Sequence, residues 1–243
     1  NVVATITQPN GLTAVATKTN VTCFGVNNGI GNVSYSGGTG IPNILWSAPS
    51  LATTQTANNL APGNYTVFLT DASGCPAQAT ISITQPSSIT LVTYSGTTNC
   101  GQANGTASCS ASGGSPGYTY QWSSNPSFTN TSISGVTAGV YTVVVTDLNG
   151  CSVIGQSVLN DLAGPTVQVT NTINVTCFGM ANGGATVSAS GGVGTLTYLW
   201  SYLAQTTQNV NNLPNGLHSI TVTDAANCVA NATVNITQPT QLV

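Results

Sequence analysis

From Tyr65 to Asp71 the chain alternates strictly, with Tyr65, Val67 and Leu69 pointing one way and Thr66 and Thr70 the other. The alternation returns at Tyr141, Val143, Val145 and Asp147, and again at His218, Ile220, Val222 and Asp224, with Thr142, Thr146, Thr221 and Thr223 on the opposite face. A period of two is the signature of a strand buried on one side. Short apolar runs of this kind are bounded throughout by Gly, Pro, Asn and Ser, and no segment carries a helical period. The chain reads as all-β, with about seven strands per unit and turns every eight to twelve residues, which suits an immunoglobulin-like sandwich.

The strands belong to a repeat. Cys23, Cys100 and Cys177 lie 77 residues apart, and Cys75, Cys151 and Cys228 lie 76 and 77 apart. Trp46, Trp122 and Trp200 recur with them, as do Asp71, Asp147 and Asp224 and the glycine pairs at 37–38, 113–114 and 191–192. The string ITQP closes a unit at Ile83–Pro86 and Ile236–Pro239 and is degraded to VLNDLAGP in between. A tandem array of three immunoglobulin-like repeats of about 77 residues follows, with boundaries at 10–86, 87–163 and 164–243. The same ITQP at Ile6–Pro9 makes residues 1–9 read as the closing strand of a preceding repeat or as a strand donated to a neighbour. The joints are short and proline-bearing, which predicts stiff connections and a rod.

Composition narrows the function. The chain has one Lys, no Arg, four Asp, no Glu and one His among 243 residues. Nucleic-acid binding needs a basic footprint, and Lys18 alone is none. Acid–base catalysis needs several converging titratable groups, so no catalytic residues are assigned and the chain is not read as an enzyme. Disorder is opposed by a hydrophobic fraction of 40%, enough to offset chain entropy by burial. No run of 18 apolar residues and no leader pattern occurs, so neither a membrane span nor a signal peptide is expected, and the chain reads as a mature or internal segment of something longer.

Two cysteines per unit at constant spacing point to disulfides made in an oxidising compartment, assigned here within each unit as Cys23 with Cys75, Cys100 with Cys151 and Cys177 with Cys228. The ligand spacings of a zinc site are missing, one Asp per turn is too few for calcium, and no metal or cofactor is expected. Asp71, Asp147 and Asp224 stand in T-D-x-x-G/N-C turns, where a carboxylate caps backbone two residues on. Cys109 takes the register of Val33 and Val187, as a buried free thiol. His218 stands where Tyr65 and Tyr141 stand, each at the start of a late strand like the tyrosine corner of immunoglobulin-like sandwiches. Together with the three Trp residues these form the expected repeat core. Eight N-x-S/T sequons occur, at Asn20, Asn32, Asn64, Asn104, Asn130, Asn174, Asn231 and Asn235, as potential glycan sites.

The strings NVTCFGVNNG, NVTCFGMANGGATVSASGGVGTLTYLW, GNYTVFLTDASGC and ITQP resemble the SprB-type repeat of large surface adhesins in gliding and other Bacteroidota. The second unit departs from that pattern at NCGQANG and LNDLAGP. The resemblance implies a secreted cell-surface protein of many tandem repeats, acting in adhesion or surface motility and carrying no catalytic residues. The first functional reading is therefore a structural segment of an extracellular filament or adhesin stalk, whose partners are copies of itself or further repeats. The second is a polysaccharide-binding module using Phe68, Tyr94, Phe128 and Tyr202, aromatics that have no aromatic counterparts in the other units. A surface so poor in charge lacks the repulsion that keeps monomers apart, so the chain is expected to work polymerised or covered in attached glycans.

Overall fold

The structure, a computed structural model, describes residues 10–123 and 129–241. Residues 1–9 and Phe128 lie outside them. In the first repeat the alternating segments form β1 (Thr13–Thr19), β2 (Gly29–Ser36), β3 (Asn43–Trp46), β4 (Thr56–Leu60), β5 (Gly63–Thr70) and β6 (Pro76–Ile83). They make two three-stranded sheets, ordered β1-β2-β4 and β3-β5-β6. β5 lies antiparallel between β3 and β6, with Trp46 opposite Val67 and Tyr65 opposite Ile81. Tyr65, Val67 and Leu69 are buried while Thr66, Phe68 and Thr70 face outward to varying degrees. Trp46 fills the space between the sheets with Val33, Leu60 and Ile83. Burying an aromatic side chain of that size contributes on the order of 5 kcal/mol before the entropy cost. β2 makes room for it with Gly31, where a Cβ would stand 2.9 Å from the indole ring.

The middle repeat runs β7 (Thr90–Ser95), β8 (Thr97–Asn99), β9 (Gly105–Ser112), β10 (Thr119–Trp122), β11 (Ser132–Val136), β12 (Gly139–Thr146) and β13 (Ser152–Leu162). Its sheets are β11-β9-β7 and β10-β12-β13-β8. The third repeat runs β14 (Pro165–Ile173), β15 (Gly183–Gly191), β16 (Thr197–Trp200), β17 (Asn209–Leu213), β18 (Gly216–Thr223) and β19 (Val229–Ile236), with sheets β14-β15-β17 and β16-β18-β19. Trp200 anchors its core with Val187, Leu213, Ile220 and Ile236. The protein is thus all-β and built of immunoglobulin-like sandwiches.

Among the described residues six strands, not seven, recur in the first and third repeats. The segment between β3 and β4 is occupied with closing over the indole: Trp46 N–H donates to Ala52 O at 2.9 Å and its ring Nε1–H to Thr54 O at 3.1 Å. Trp122 and Trp200 donate in the same way to Asn130 O and Thr207 O. The seventh strand of the middle repeat is β8, which pairs parallel with the end of β13, Thr98 opposite Asp161.

By the density of its backbone contacts the chain divides into two compact units. Of the described residues, one comprises 10–92, 110–121 and 144–154, the other 93–109, 122–123, 129–143 and 155–241. Each takes one terminal repeat whole together with part of the middle one. The core around Trp46 belongs to the first unit and the core around Trp200 to the second.

Candidate functional site: the cysteine junctions

Each first cysteine sits in a loop near the start of its repeat, Cys23 between β1 and β2, Cys100 between β8 and β9, and Cys177 between β14 and β15. In the first repeat this loop is tied to the closing strand by backbone and side chain together: Val21 N–H donates to Thr84 O at 3.0 Å, and Gly25 N–H to the Gln85 Oε1 at 2.9 Å. Within the loop Asn28 closes a ring with Thr22, accepting from its N–H and donating to its hydroxyl. The third repeat copies every one of these contacts, with Val175 on Thr237, Gly179 on Gln238 and Asn182 on Thr176. Cys23 and Cys177 are therefore presented by the same local structure.

Each second cysteine sits in the hairpin turn that joins the last two strands, and an aspartate builds that turn. Asp71 accepts from the N–H groups of Thr39, Ser73 and Cys75 at 2.8–2.9 Å. Asp147 does so from Ser115, Asn149 and Cys151, and Asp224 from Val193, Ala226 and Cys228. These bonds stabilise the ionised form. The amide of Cys75 above all holds Asp71 below the usual carboxylate range, as Ser115 does for Asp147 and Val193 for Asp224, each against a smaller opposing effect of burial.

The bonds themselves join successive repeats. Cys23 is bonded to Cys151 with Cα atoms 5.7 Å apart, and Cys100 to Cys228 with Cα atoms 5.4 Å apart, each spanning 128 residues. Cys75 and Cys177 are free and exposed, and Cys109 is free and buried. This corrects the pairing of Cys23 with Cys75, Cys100 with Cys151 and Cys177 with Cys228. The reason is strand length. The Cys23 loop is anchored to Thr84 and Gln85, past the end of β6, whereas Cys75 immediately precedes β6. Eight residues of extended chain span about 26 Å, and a disulfide needs Cα atoms within about 7 Å. The two cysteines of the first repeat lie at opposite ends of their sandwich, and β19 separates Cys177 from Cys228 in the third in the same way.

Both bonds lie inside a compact unit. Beside Cys23–Cys151 the Asn149 amide donates to Thr22 O at 3.0 Å and to the Ser115 hydroxyl at 2.8 Å. A shallow cleft of about 360 Å³ adjoins the bond, lined by Phe24, Val26, Ile89, Gly114, Asp147 and Val153 among others. A disulfide closing so long a span stabilises the folded chain by about 5 kcal/mol in the chain-entropy account.

The middle loop reaches the same end with different residues. Thr98 replaces Val21 and Val175, and Asp161 replaces Gln85 and Gln238. The fully buried Thr98 hydroxyl donates to Asp161 Oδ1 at 2.7 Å, and Gly101 N–H donates to both carboxylate oxygens. This aspartate has a role that the sequence reading did not assign. The signal was the double departure of Thr98 and Asp161 from the other two repeats.

Of the remaining candidates, Trp46, Trp122 and Trp200 are buried. Tyr65 and Tyr141 donate their hydroxyls to the carbonyls four residues before them, at Ala61 and Thr137. His218 Nε2 meets Pro214 O at 2.9 Å, and since a carbonyl only accepts, this nitrogen carries the proton. Cys109 donates its backbone N–H to Thr131 O, as Val33 does to Gln55 and Val187 to Gln208, and burial pushes its thiol upward. Tyr202 is not a free surface aromatic: it is partly buried, edge-on to His218 with ring centroids 5.6 Å apart, because it packs on the third core. Phe68 is 46% exposed and Tyr94 57%. Each lines a separate cleft whose other lining residues include no aromatic. Among the described residues no three His, Cys, Asp or Glu gather as a metal set, and no helix is long and apolar enough to cross a membrane.

The loops around Cys100 and Cys177 and the Trp strands beyond them are also what relate the chain to known sequences. The SprB repeat matches this chain at two positions. The matched residues are 98–127 and 169–205. Each SprB match thus takes in a first cysteine, Cys100 or Cys177, and the core Trp that follows, Trp122 or Trp200. No curated protein sequence matches the chain. Among solved structures it is similar to Dpr2 Ig1-Ig2 in complex with DIP-Theta Ig1-Ig3, at 10% identity and a TM-score of 0.32 over 95% of this chain and 97% of that one. It is similar to the N-terminal eight Ig domains of Down Syndrome Cell Adhesion Molecule at 10% identity and a TM-score of 0.34, over 95% of this chain and 36% of that one. It is also similar to domains 3–5 of Drosophila OTK at 12% identity and a TM-score of 0.30, over 96% and 95%.

Proposed function

We propose that this chain is a structural repeat segment of a secreted bacterial extracellular filament or surface-adhesin stalk, with the repeat limits near residues 10, 87 and 164. The observation that carries the reading is the pair of disulfides joining each repeat to the next. Bonds placed within repeats serve the stability of each alone, whereas bonds placed between repeats serve continuity of the array. Disulfides also require an oxidising compartment, which fits an extracellular location, and the SprB matches fit a cell-surface array. The nearly uncharged surface, rich in Thr, Asn and Ser, fits a life inside an assembly or under glycans.

The partners on this reading are further repeats of the same kind. The exposed aromatics give polysaccharide binding little support, since the clefts lined by Phe68 and by Tyr94 each hold no second aromatic and Tyr202 is committed to the core. Antibodies raised against the folded chain test the reading on unpermeabilised source cells: decoration of surface appendages is expected, and labelling that requires permeabilisation overturns it.

A further inference from the structure

We infer that Cys75 and Cys177 are covalent docking sites for further SprB-type repeats, Cys177 bonding a second cysteine of the Asp-turn type and Cys75 a first cysteine of the loop type. Two observed bonds set the rule: the first cysteine of one repeat pairs with the second cysteine of the next, Cys23 with Cys151 and Cys100 with Cys228. Under that rule Cys177 and Cys75 are the two positions whose partners belong to another repeat, and they are the two exposed free thiols among the described residues.

Local structure supports the rule independently of the count. The Cys177 loop reproduces the hydrogen bonds of the bonded Cys23 loop one for one. The Asp71 turn reproduces those that hold the bonded Cys151 and Cys228. Both free thiols are thus presented as bonded ones are. The apolar residues beside Cys177 match too: Phe178 and Met180 stand 50% and 53% exposed at the positions of Phe24 and Val26, and those two line the cleft over Cys151. Phe24 and Val26 are themselves 57% and 39% exposed beside the formed bond, so the free loop presents its apolar residues much as the bonded one does.

The bond forms by thiol–disulfide exchange with a small-molecule or oxidoreductase disulfide as oxidant. The Cys177 thiolate attacks that disulfide, making a mixed disulfide and releasing one thiolate. The thiolate of the incoming second cysteine then attacks Cys177 Sγ, releasing the other. Two protein thiols are oxidised, one disulfide is reduced to two thiols, and the two protons pass to the released thiolates. The incoming repeat comes either from a second copy of this chain or from the same polypeptide, and the chemistry is shared.

The inference rests on the disulfide register and not on where a filament stands, so it and the antibody experiment fail separately. Unreduced native material is alkylated, digested and mapped by mass spectrometry. The expected result is Cys177 linked to a D-x-x-x-C peptide and Cys75 linked to a loop-type cysteine peptide. Free Cys75 and Cys177, or like-to-like links, overturn the inference. The source is then read from the purified chain oxidised with glutathione disulfide. A ladder in 24.4 kDa steps, with Cys177–Cys75 links at least ten-fold over Cys75–Cys75 or Cys177–Cys177, assigns the partner to a second copy. Cys75→Ser and Cys177→Ser variants, mixed, then stop at the dimer. Native links without such a ladder assign the partner to the same polypeptide.

Discussion

The Cys23 loop and the Cys100 loop do the same work with opposite chemistry. Around Cys23 a buried valine plugs the end of the sandwich and a neutral glutamine holds the Gly25 amide. Around Cys100 a buried threonine and a carboxylate replace that pair, hydrogen-bonded to each other, and the strand lengthens into a parallel bridge. Phe24 and Val26 become Gly101 and Ala103. What survives the exchange is the cysteine, its anchorage to the closing strand, and its bond to the next Asp turn. The comparison teaches that the junction is specified by where the loop is tied down, and that the apolar or polar character of the tie is free to vary as long as every buried polar group is answered.

The largest effect tests whether the two junctions are worth the same. Cys23→Ser and Cys100→Ser each remove a bond of the same span, so each should lower stability by up to about 5 kcal/mol in the chain-entropy account, read as equal losses in denaturant titrations. A loss confined to one variant would show that the surrounding loop, and not the covalent link, carries that junction. Acid comes next, because it reaches the Asp turns of all three repeats at once. Asp71, Asp147 and Asp224 have folded pKa values below the ordinary 3.8. Their contribution is therefore fully present above that value and is lost as pH falls through the folded values. Melting temperature should drop below about pH 4, and Asp→Asn at any of the three should flatten that slope while lowering stability at neutral pH.

A double-mutant cycle separates the two kinds of loop. Thr98→Val strips Asp161 of its hydroxyl donor and should cost about 1.5–3 kcal/mol, the usual worth of a hydrogen bond to a charged group. Adding Asp161→Gln rebuilds the arrangement of the outer repeats and should recover most of it. In the first repeat Val21→Thr buries a hydroxyl opposite Gln85 and should cost about 1–3 kcal/mol, with no recovery expected from Thr98→Val, which lies in the other repeat. The smallest effect concerns the corner residues. Tyr141→Phe should cost about 1 kcal/mol by orphaning the Thr137 carbonyl, whereas His218→Tyr keeps the i−4 bond and should change stability by less than about 1 kcal/mol, checked by the same titrations.

The repeat, the strands and the buried indoles were legible because each is written as a period: two within a strand, and 76 to 78 along the chain. Trp46, Val67 and Tyr65 could be placed by counting. The pairing of the cysteines was not legible from spacing, because sequence separation says nothing about which end of a sandwich a turn occupies. Strand direction does say it: the β1–β2 connection and the β5–β6 hairpin fall at opposite ends, as β6 between them requires. Asp161 escaped notice because its partner, Thr98, lies 63 residues away, and only the simultaneous loss of Val and Gln from the repeat pattern marked the site. Tyr202 was misplaced because a residue without an aromatic counterpart in the other repeats can still pack within its own, here edge-on to the corner residue His218.

The two 128-residue spans overlap, since Cys100 lies inside the first and Cys151 inside the second. A single peptide-bond cleavage anywhere from Cys23 to Cys228 therefore leaves the polypeptide in one covalent piece: a cut before Cys100 is bridged by the first disulfide, a cut after Cys151 by the second, and a cut between them by both. Bonds within repeats would have left every linker as a point where one protease encounter divides the chain. The observed arrangement makes severance between Cys23 and Cys228 a two-hit event.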